Sequence, residues 1–169
     1  MNTLQLKAAL VKMQFDGDVL PYDYFTKFSD NKVEAYILNT GHSSTNGEHW
    51  VCFLNYPGCV EFFDSYGLPP QYYFPQLVIN KPLIYNSMCI QDFESNFCGH
   101  HVLFYLGNRK NKMSSMQNLL SLYNENTSKY NDKCAYDFVK SHYCFVFKLK
   151  KRGQCCVPCT EFRKNRHLL

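Results

Sequence analysis

The sequence predicts an α+β domain in which a central, mostly antiparallel sheet packs against a buried helix. Residues 50–54 (WVCFL) and 59–63 (CVEFF) are apolar runs separated by the turn formers of residues 55–58 (NYPG), a pattern typical of a hairpin with buried strands. The apolar stretch after Cys98 indicates a buried helix that begins at or just after that residue. With 46% hydrophobic and 17% aromatic residues over 169 positions, the composition excludes a disordered chain and fits one domain with a core.

The remaining elements follow from hydrophobic spacing, caps and turn formers. The predicted elements, in order, are a helix over 3–14 capped by Thr3, a loop over 15–30, a strand over 33–38, a polar loop over 41–48, a short helix within 72–77, a strand over 83–86, and helices over 116–123 and 132–141. Four prolines between residues 68 and 82 argue against a long regular element there. Residues 142–149 are either a strand or the start of a C-terminal tail.

The hairpin brings a histidine and an aspartate together. If residues 55–58 form its loop, Leu54 faces Cys59, and the same register places His49 directly opposite Asp64. Directly paired side chains share a face, with Cβ atoms roughly 4.5–5.5 Å apart. A slip of one residue would move the two side chains to opposite faces. We therefore expect an imidazole beside a carboxylate at the open end of this hairpin.

Cys98 has the surroundings expected of a nucleophilic thiol. A helix N-terminus offers unpaired N–H groups and the positive end of the helix dipole, and both favour a thiolate. His49 can accept the thiol proton, and Asp64 can orient the imidazole. Gly99 leaves room for a substrate backbone, and the side-chain amide of Gln91 can donate to an oxyanion. A cysteine, a histidine, an acid and a glutamine are the minimal parts of a cysteine protease.

Taken singly, each of these residues has a simpler explanation. Most buried cysteines are small hydrophobic residues, and an acid at a strand end is usually solvated. His100 and His101 adjoin Cys98, but as helix neighbours they point away from its side chain. Glu48 and Glu61 are alternatives to Asp64 as the acid that orients the histidine. Glu48 adjoins His49, so we expect it to point to the opposite strand face, and Glu61 lies too far along the hairpin from the histidine. The combination, and no single residue, predicts a catalytic site.

The residues that carry these motifs resemble the adenovirus-type maturation cysteine proteases (adenain-like), which are related in fold to the SUMO-specific cysteine proteases. The resemblance rests on residues 39–50, which end in GEHW, on residues 62–67 (FFDSYG), on the six residues between Gln91 and Cys98, and on residues 6–12 (LKAALVK). It covers about residues 4–140. The spacing from glutamine to cysteine is closer to the adenoviral subgroup than to the SUMO-specific one.

The resemblance implies a papain-like arrangement with the active site in a groove between the sheet and the helix. It makes His49 the general base, Asp64 the residue that orients it, Cys98 the nucleophile and Gln91 an oxyanion donor, with Trp50 as a wall of the site. Peptide hydrolysis would proceed through an acyl-enzyme, and the imidazole would first protonate the leaving amine and then activate water. The segment between the aspartate and the glutamine is shorter than in adenoviral members, which leaves its binding role open.

The resemblance also implies a biological role. Such enzymes process virion precursor proteins during assembly, often after a Gly-containing motif, and adenoviral members are activated by DNA and by a short basic, cysteine-containing capsid peptide. We therefore expect viral precursor polypeptides as substrates, with cleavage near small or Gly residues. We expect a location in the virion and in the host nucleus or cytoplasm. The short segment favours an adenovirus-related DNA virus or a virus-like DNA transposon of animals as the source.

Charge divides the chain into a protease domain over 1–147 and a basic tail over 148–169. The tail has seven basic side chains and one acidic side chain, whereas the formal net charge of the whole chain is +4. The candidate DNA contacts are Lys148, Lys150, Lys151, Arg152, Arg163, Lys164 and Arg166. Basic tails often contact nucleic acid, and residues 149–156 (LKKRGQCC) resemble the activating peptide, so DNA or this built-in segment could act as an activator. A solvated tail that aids solubility is the plain alternative.

Nine cysteines and no visible signal peptide predict reduced thiols in an intracellular protein that is not secreted. No apolar run approaches 18 residues, so we expect no membrane association, and we expect a monomer.

The tail also carries residues that could bind zinc, namely Cys155, Cys156, Cys159 and His167. Zinc sites usually have two paired clusters of ligands and the tail has one, so unliganded thiols are preferred. We expect no metal or other cofactor to be required.

Two other functions stay open at this point. An isopeptidase acting on ubiquitin-like C-termini would use the same groove, and labelling of Cys98 by a ubiquitin-like probe with a C-terminal electrophile would favour it. A non-catalytic DNA-binding accessory protein would show salt-sensitive DNA binding and unchanged function after Cys98→Ala. The intact set of four residues favours the endopeptidase.

Overall fold

The computed structural model describes residues 1–110, 116–123 and 127–148 and has an α+β fold around a five-stranded sheet. The strands are β1 (Asp16–Pro21), β2 (Glu34–Asn39), β3 (Trp50–Asn55), β4 (Val60–Phe63) and β5 (Leu83–Tyr85). The α-helices are α1 (Thr3–Lys12), α2 (Pro70–Tyr73), α3 (Cys98–Lys110), α4 (Met116–Leu120) and α5 (Ser128–His142). Two short 3₁₀ helices span Tyr22–Tyr24 and Cys144–Lys148.

The sheet is mixed and runs in the order β1-β2-β3-β4-β5. Its three central strands pair antiparallel, whereas β1 joins β2 and β5 joins β4 in parallel. The predicted α+β class, with a sheet against the helix that begins at Cys98, is confirmed. The edges differ from the mostly antiparallel sheet that was expected, because the apolar pattern of a strand does not reveal the direction of its neighbour.

β1 lies within residues 15–30, where the sequence predicts a loop. Only Val19 of this strand is fully buried, so no alternation of apolar and polar residues marks it. The strand depends on its pairing with β2, and Gly17 lies at the closest point of that contact. Gly17 has φ 129°, and an added Cβ would stand 2.0 Å from the carbonyl oxygen of Ala35, so the position requires glycine.

The hairpin forms between β3 and β4, but its register differs from the predicted one by two residues. Asn55 pairs with Val60, so the turn comprises residues 56–59, and the predicted direct pairing of His49 with Asp64 is wrong. A shift of two residues keeps every side chain on its original face, because side chains alternate with a period of two. The histidine and the aspartate are therefore diagonal neighbours on one face, which long side chains can still bridge.

The two faces of the sheet carry different cores. Cys52 and Leu54 of β3 face α1, α3 and α5, where the larger apolar cluster lies. Val51 and Phe53 point to the opposite face, where an aromatic cluster packs beneath the loops on either side of Phe74. Burial on both faces explains why β3 reads as an uninterrupted apolar run.

A buried ion pair ties the hairpin to the C-terminal half of α3. Arg109 donates to both carboxylate oxygens of Glu61, from Nε at 2.8 Å and from an η nitrogen at 2.6 Å. The Tyr105 hydroxyl donates to the same carboxylate at 2.5 Å. Glu61 is thus bound within the core, and the contacts fix the direction of the helix that starts at Cys98.

The ends of several elements differ from the predicted ones. Asn2, and not Thr3, caps α1: its side chain accepts from the Gln5 N–H at 3.0 Å, and the Gln5 side chain accepts from the Asn2 N–H at 2.9 Å. α2 ends at Tyr73, short of the predicted residue 77, and α5 begins four residues before its predicted start. Residues 144–148 form a 3₁₀ helix in place of the strand that was one of two options there.

The basic tail lies outside the described residues from position 149 onward, together with the side chain of Lys148. The proposed DNA contacts there, and the zinc option that involves Cys155, Cys156, Cys159 and His167, therefore stay predictions. No helix in the described ranges is both long and apolar enough to cross a membrane.

Candidate active site

His49 and Asp64 form a buried pair at one end of the hairpin. His49 lies just before β3 and Asp64 just after β4, and His49 Nε2 donates to Asp64 Oδ1 at 2.6 Å. The carboxylate also accepts from the backbone N–H of Tyr66 at 3.1 Å, from that of Leu68 at 3.0 Å and from the Tyr73 hydroxyl at 3.0 Å. These donors compensate for its complete burial and hold the carboxylate in one orientation.

Cys98 is the first residue of α3 and contacts the same imidazole. Burial by itself raises the pKa of the Cys98 thiol. The hydrogen bond and charge of His49, together with a hydrogen bond from the backbone N–H of Trp50, outweigh burial and hold that pKa below its ordinary value. The thiol is therefore more easily ionised than an ordinary cysteine.

The imidazole of His49 is shifted in the opposite direction. Burial lowers its pKa, but hydrogen bonds and charges from Asp64 and Cys98 raise the pKa to about 9. Because Nε2 is bonded to Asp64, Nδ1 is the ring nitrogen that remains for the thiol. A lowered thiol pKa beside a raised imidazole pKa favours transfer of the thiol proton to the imidazole, the direction that a thiolate–imidazolium pair requires.

Gln91 reaches the same place from the segment before α3. Its Oε1 accepts from the Ser65 hydroxyl at 2.6 Å, and its Nε2 donates to the Ser95 carbonyl oxygen at 3.0 Å. The Tyr66 hydroxyl lies 3.4 Å from Nε2. The amide group is therefore held firmly, in a residue that lines the same cleft as Cys98.

A cleft of about 590 Å³ opens over these residues. His49, Gln91 and Cys98 line it, and Asp64 lies behind the imidazole, outside the lining. All four predicted site residues are thus brought together. The other lining residues are Thr40, Glu48, Tyr66, Leu68, Tyr72, Tyr73, Phe93, Ser95 and Asn96.

Aromatic rings cover the imidazole in layers. Tyr66 stacks on His49 with ring centroids 4.7 Å apart, and Phe93 stacks on Tyr66 at 5.2 Å. The ring of Tyr73 lies 5.8 Å from that of His49. Aromatic faces stabilise a neighbouring cation, so this environment suits an imidazolium. Phe93 is 77% exposed and offers an apolar surface at the rim of the cleft.

The rival histidines are placed as the sequence predicts, whereas the prediction that Glu48 points away from the histidine is wrong, because Glu48 lines the same cleft. His100 is enclosed by aromatic rings, that of Tyr136 among them at 5.7 Å, and His101 Nε2 donates to Asp132 Oδ1 at 2.7 Å. Neither side chain lines the cleft. Glu48 lies exposed at the rim, and the imidazole hydrogen-bonds to the carboxylate behind it instead.

Two roles expected from the sequence are wrong. An added Cβ at Gly99 would lie 3.0 Å from Met1 Cβ, so the space beside this glycine is filled by Met1 and is not open to a substrate. The indole N–H of Trp50 donates to the Met1 carbonyl oxygen at 3.1 Å. Trp50 is buried in the core and does not line the cleft, so its ring is not a wall of the site.

Sequence reasoning missed three residues that shape the site. Ser65 and Tyr66 lie within residues 62–67, but the sequence alone gave no reason to assign them a role. Nothing in the sequence marks Tyr73, because its bond to the carboxylate depends on how residues 69–77 fold back over the end of β4. A polar residue directly after a candidate acid is the one signal that could have drawn attention to Ser65.

The part of the chain that the structure describes carries free thiols. Its six cysteines, listed together, are Cys52, Cys59, Cys89, Cys98, Cys134 and Cys144. Within the same residues, no group of three or more His, Cys, Asp or Glu side chains is placed to hold a metal ion. The chemistry that this arrangement offers is nucleophilic attack by Cys98, assisted by a general base and an amide donor.

Of three comparisons with known proteins, the one with solved structures finds a match. No protein-family model matches the chain, and no curated protein matches it by sequence. A solved structure that resembles it is the crystal structure of the selenomethionine ASFV pS273R protease, at 16% identity and a TM-score of 0.49. The alignment covers 78% of this chain and 66% of that protein, so the chain spans less than two thirds of its length. Such a likeness concerns the course of the backbone alone.

Proposed function

We propose that this protein is a cysteine endopeptidase. The observation that carries the proposal is the continuous contact from Cys98 through His49 to Asp64 at the floor of an open cleft. Thiolate, imidazolium and orienting carboxylate are the parts that thiol-dependent acyl transfer requires. The amide of Gln91 adds a donor on the same side.

In the acylation step, the Cys98 thiolate attacks the carbonyl carbon of the scissile peptide bond. The carbonyl electrons move to the oxygen, and the Gln91 amide is the side chain of the cleft that can donate to this oxyanion. The tetrahedral intermediate collapses as the C–N bond breaks, and the His49 imidazolium gives its proton to the leaving amine. The product is a thioester between Cys98 and the acyl part of the substrate.

In the deacylation step, His49 is neutral and can act as a base. It removes a proton from water, which attacks the thioester carbonyl and releases the acid and the thiolate. Asp64 keeps the ring oriented throughout, because it bonds Nε2 and leaves Nδ1 toward the sulfur and the water. The fixed tautomer lets one ring serve as acid and then as base.

The proposed substrates are precursor polypeptides that are processed during virion assembly, and cleavage is proposed near small or Gly residues. The support for this finer proposal is the sequence resemblance over residues 39–50, 62–67 and 91–98. An open cleft with exposed aromatic residues at its rim is compatible with an extended polypeptide.

The proposal is tested by incubating the protein with a peptide library and identifying newly formed termini by mass spectrometry. Cleavage should occur with the wild type and disappear in Cys98→Ala. The matched control is Cys144→Ala, since Cys144 is a free thiol that lies outside the cleft and is exposed, and cleavage should persist there. Cleavage that survives in Cys98→Ala would refute the proposal.

A second assay separates endopeptidase from isopeptidase. A ubiquitin-like probe that carries a C-terminal electrophile is incubated with the same three proteins. Stoichiometric labelling of Cys98 together with an absence of cleaved library peptides would favour an enzyme that acts on ubiquitin-like C-termini. Cleaved library peptides without probe labelling are the result expected of the proposed endopeptidase.

A further inference from the structure

Ser65 contacts Gln91 through both its backbone and its side chain. Its carbonyl oxygen accepts from the N–H of Ile90 at 2.9 Å and from that of Gln91 at 3.1 Å. Its hydroxyl donates to Gln91 Oε1 at 2.6 Å. This inference rests on the proposed protease function: we propose that Ser65 is a positioning residue that holds the Gln91 amide in place, so that its nitrogen, whose direction the Ser95 carbonyl sets, meets the oxyanion.

The amide has a defined direction because its two ends meet different groups. The Ser95 carbonyl oxygen can only accept, so the end that lies 3.0 Å from it is Nε2. The Ser65 hydroxyl then donates to Oε1 at the other end. A flipped amide would place its oxygen against the Ser95 carbonyl oxygen and lose that hydrogen bond, whereas the Ser65 hydroxyl, which can donate or accept, anchors the other end. Ser65 is fully buried and Gln91 is 1% exposed, so water competes little for the bond between them.

The nitrogen end is also the end that faces the cleft. Ser95 and Tyr66, the neighbours of Nε2, both line the cleft with Cys98, whereas Ser65 does not. One of the two Nε2 protons is used by the Ser95 carbonyl oxygen. The contact with the Tyr66 hydroxyl is 3.4 Å, which is long for an N–H···O bond, so the second proton can be given to a substrate oxygen.

Two adjacent residues therefore serve the two halves of the site. Asp64 holds the imidazole at 2.6 Å, and Ser65 holds the amide at 2.6 Å. Asp64 and Ser65 are neighbours in the turn that directly follows β4, so one dipeptide contacts both. Asn86 fixes the backbone of Asp64: its side chain accepts from the Asp64 N–H at 2.9 Å and donates to the Asp64 carbonyl oxygen at 2.6 Å.

The role of Ser65 can be isolated with two probes that react with Cys98 by different routes. Iodoacetamide is attacked at its CH₂ carbon, the C–I bond breaks and iodide leaves, and no oxyanion forms. p-Nitrophenyl acetate is attacked at its carbonyl carbon, passes through an oxyanion and releases p-nitrophenolate. A change at Ser65 that acts through the Gln91 amide should slow the second reaction alone. Mass mapping reads each reaction at Cys98, with Cys144 as the internal reference.

In Ser65→Ala, acylation of Cys98 by p-nitrophenyl acetate should slow about fivefold, which corresponds to the net free energy of one hydrogen bond. Alkylation by iodoacetamide, including its dependence on pH, should match the wild type. Gln91→Ala should slow acylation further, by up to about 100-fold. Adding Ser65→Ala to Gln91→Ala should then have no additional effect, because the group that Ser65 positions is absent.

Three outcomes would overturn the inference. They are an unchanged acylation rate in Ser65→Ala, an equal loss of alkylation and acylation, which indicates general damage to the site, or an additive effect in the double variant. Failure of the proposed function has a different signature. In that case wild-type Cys98 would be alkylated no faster than Cys144, whatever residue stands at position 65.

Discussion

The Tyr73 hydroxyl donates to Asp64 Oδ2 at 3.0 Å, so a residue of the short helix α2 helps to orient the carboxylate of the candidate site. Burial raises the pKa of the Tyr73 phenol, and the charge and hydrogen bond of Asp64 raise this pKa further. The phenol is therefore a protonated donor at any pH at which the site would work. The segment between the candidate acid and Gln91, whose role the sequence left open, thus contributes directly to the site.

Tyr73→Phe should lower kcat/KM for a cleaved peptide about fivefold, the size of one net hydrogen bond, while KM changes little. The ring stays in place, so only the orientation of the carboxylate is affected. Tyr72→Phe is the matched control, because Tyr72 is exposed in the same cleft and should show less than a twofold change. Equal losses in the two variants would speak against the positioning role of Tyr73.

The shifted pKa values predict how alkylation of Cys98 depends on pH. The lowered thiol pKa means that iodoacetamide should react with Cys98 at a pH below that at which an ordinary cysteine ionises. The His49 imidazolium should persist until pH approaches its pKa of about 9, so the rate should be nearly constant between the lowered pKa of the thiol and that point. In His49→Ala burial remains and the imidazolium is lost, so the thiol pKa should rise and the reaction should move to alkaline pH.

His42 supplies the control for this titration, because it is exposed and lies outside the cleft. His42→Ala should leave the profile of Cys98 unchanged. The rate is measured by mass mapping of alkylated peptides from pH 4 to pH 9. A wild-type profile that rises only near the ordinary thiol pKa of about 8.5 would contradict the ion pair.

The buried pair of Glu61 and Arg109 predicts a large loss of stability when one partner is removed. Arg109→Met should lower the free energy of unfolding by about 3–5 kcal/mol, because it leaves a buried carboxylate without its cation. Lys133→Met is the matched control: Lys133 bonds Asp137 at 2.6 Å, but both side chains are more than half exposed. Its loss should cost less than about 1 kcal/mol. Urea unfolding followed by circular dichroism measures both, and equal losses would contradict the expectation.

His100 predicts a loss of stability in acid. Burial lowers the pKa of this histidine to about 3, and its ring nitrogens have no hydrogen-bond partner among the described residues. The unfolded chain takes up a proton near pH 6.5 and the folded chain does not, so stability is full above pH 6.5 and falls as pH drops toward 3. At pH 5 the loss from this one residue should be about 2 kcal/mol.

His100→Phe removes the titrating group and keeps an aromatic ring among its aromatic neighbours. Its free energy of unfolding, measured in urea from pH 4.5 to pH 7.5, should fall less with acid than that of the wild type. The difference between the two proteins should therefore grow as the pH decreases. A constant difference across this range would show that His100 is not the residue responsible.

The parts of the fold that could be predicted are those with strong local patterns. The apolar runs on either side of the 56–59 turn indicate the hairpin, and the apolar stretch after Cys98 indicates α3. The proximity of His49 and Asp64 was predicted from a register that is wrong by two residues, and the proximity survives because an even shift keeps both side chains on one face.

The rest depends on contacts between segments that are distant in the sequence. β1 has no alternating pattern and exists through its pairing with β2. Met1 fills the space beside Gly99, and this contact cannot be predicted from the sequence around the glycine. The bonds of Ser65 to Gln91 likewise join segments 26 residues apart. Local patterns carry no information about such contacts.

The lowered pKa of the Cys98 thiol has a practical consequence for anyone who handles this protein. The same ionisation that favours attack on a carbonyl also favours reaction with peroxide, which converts a thiolate to sulfenic acid and then to irreversible acids. Its contact with the cleft gives small oxidants a route to the sulfur. Preparations kept without a reducing agent should lose reactivity at Cys98 before most other thiols are oxidised, and such aged material would resemble an inactive protein.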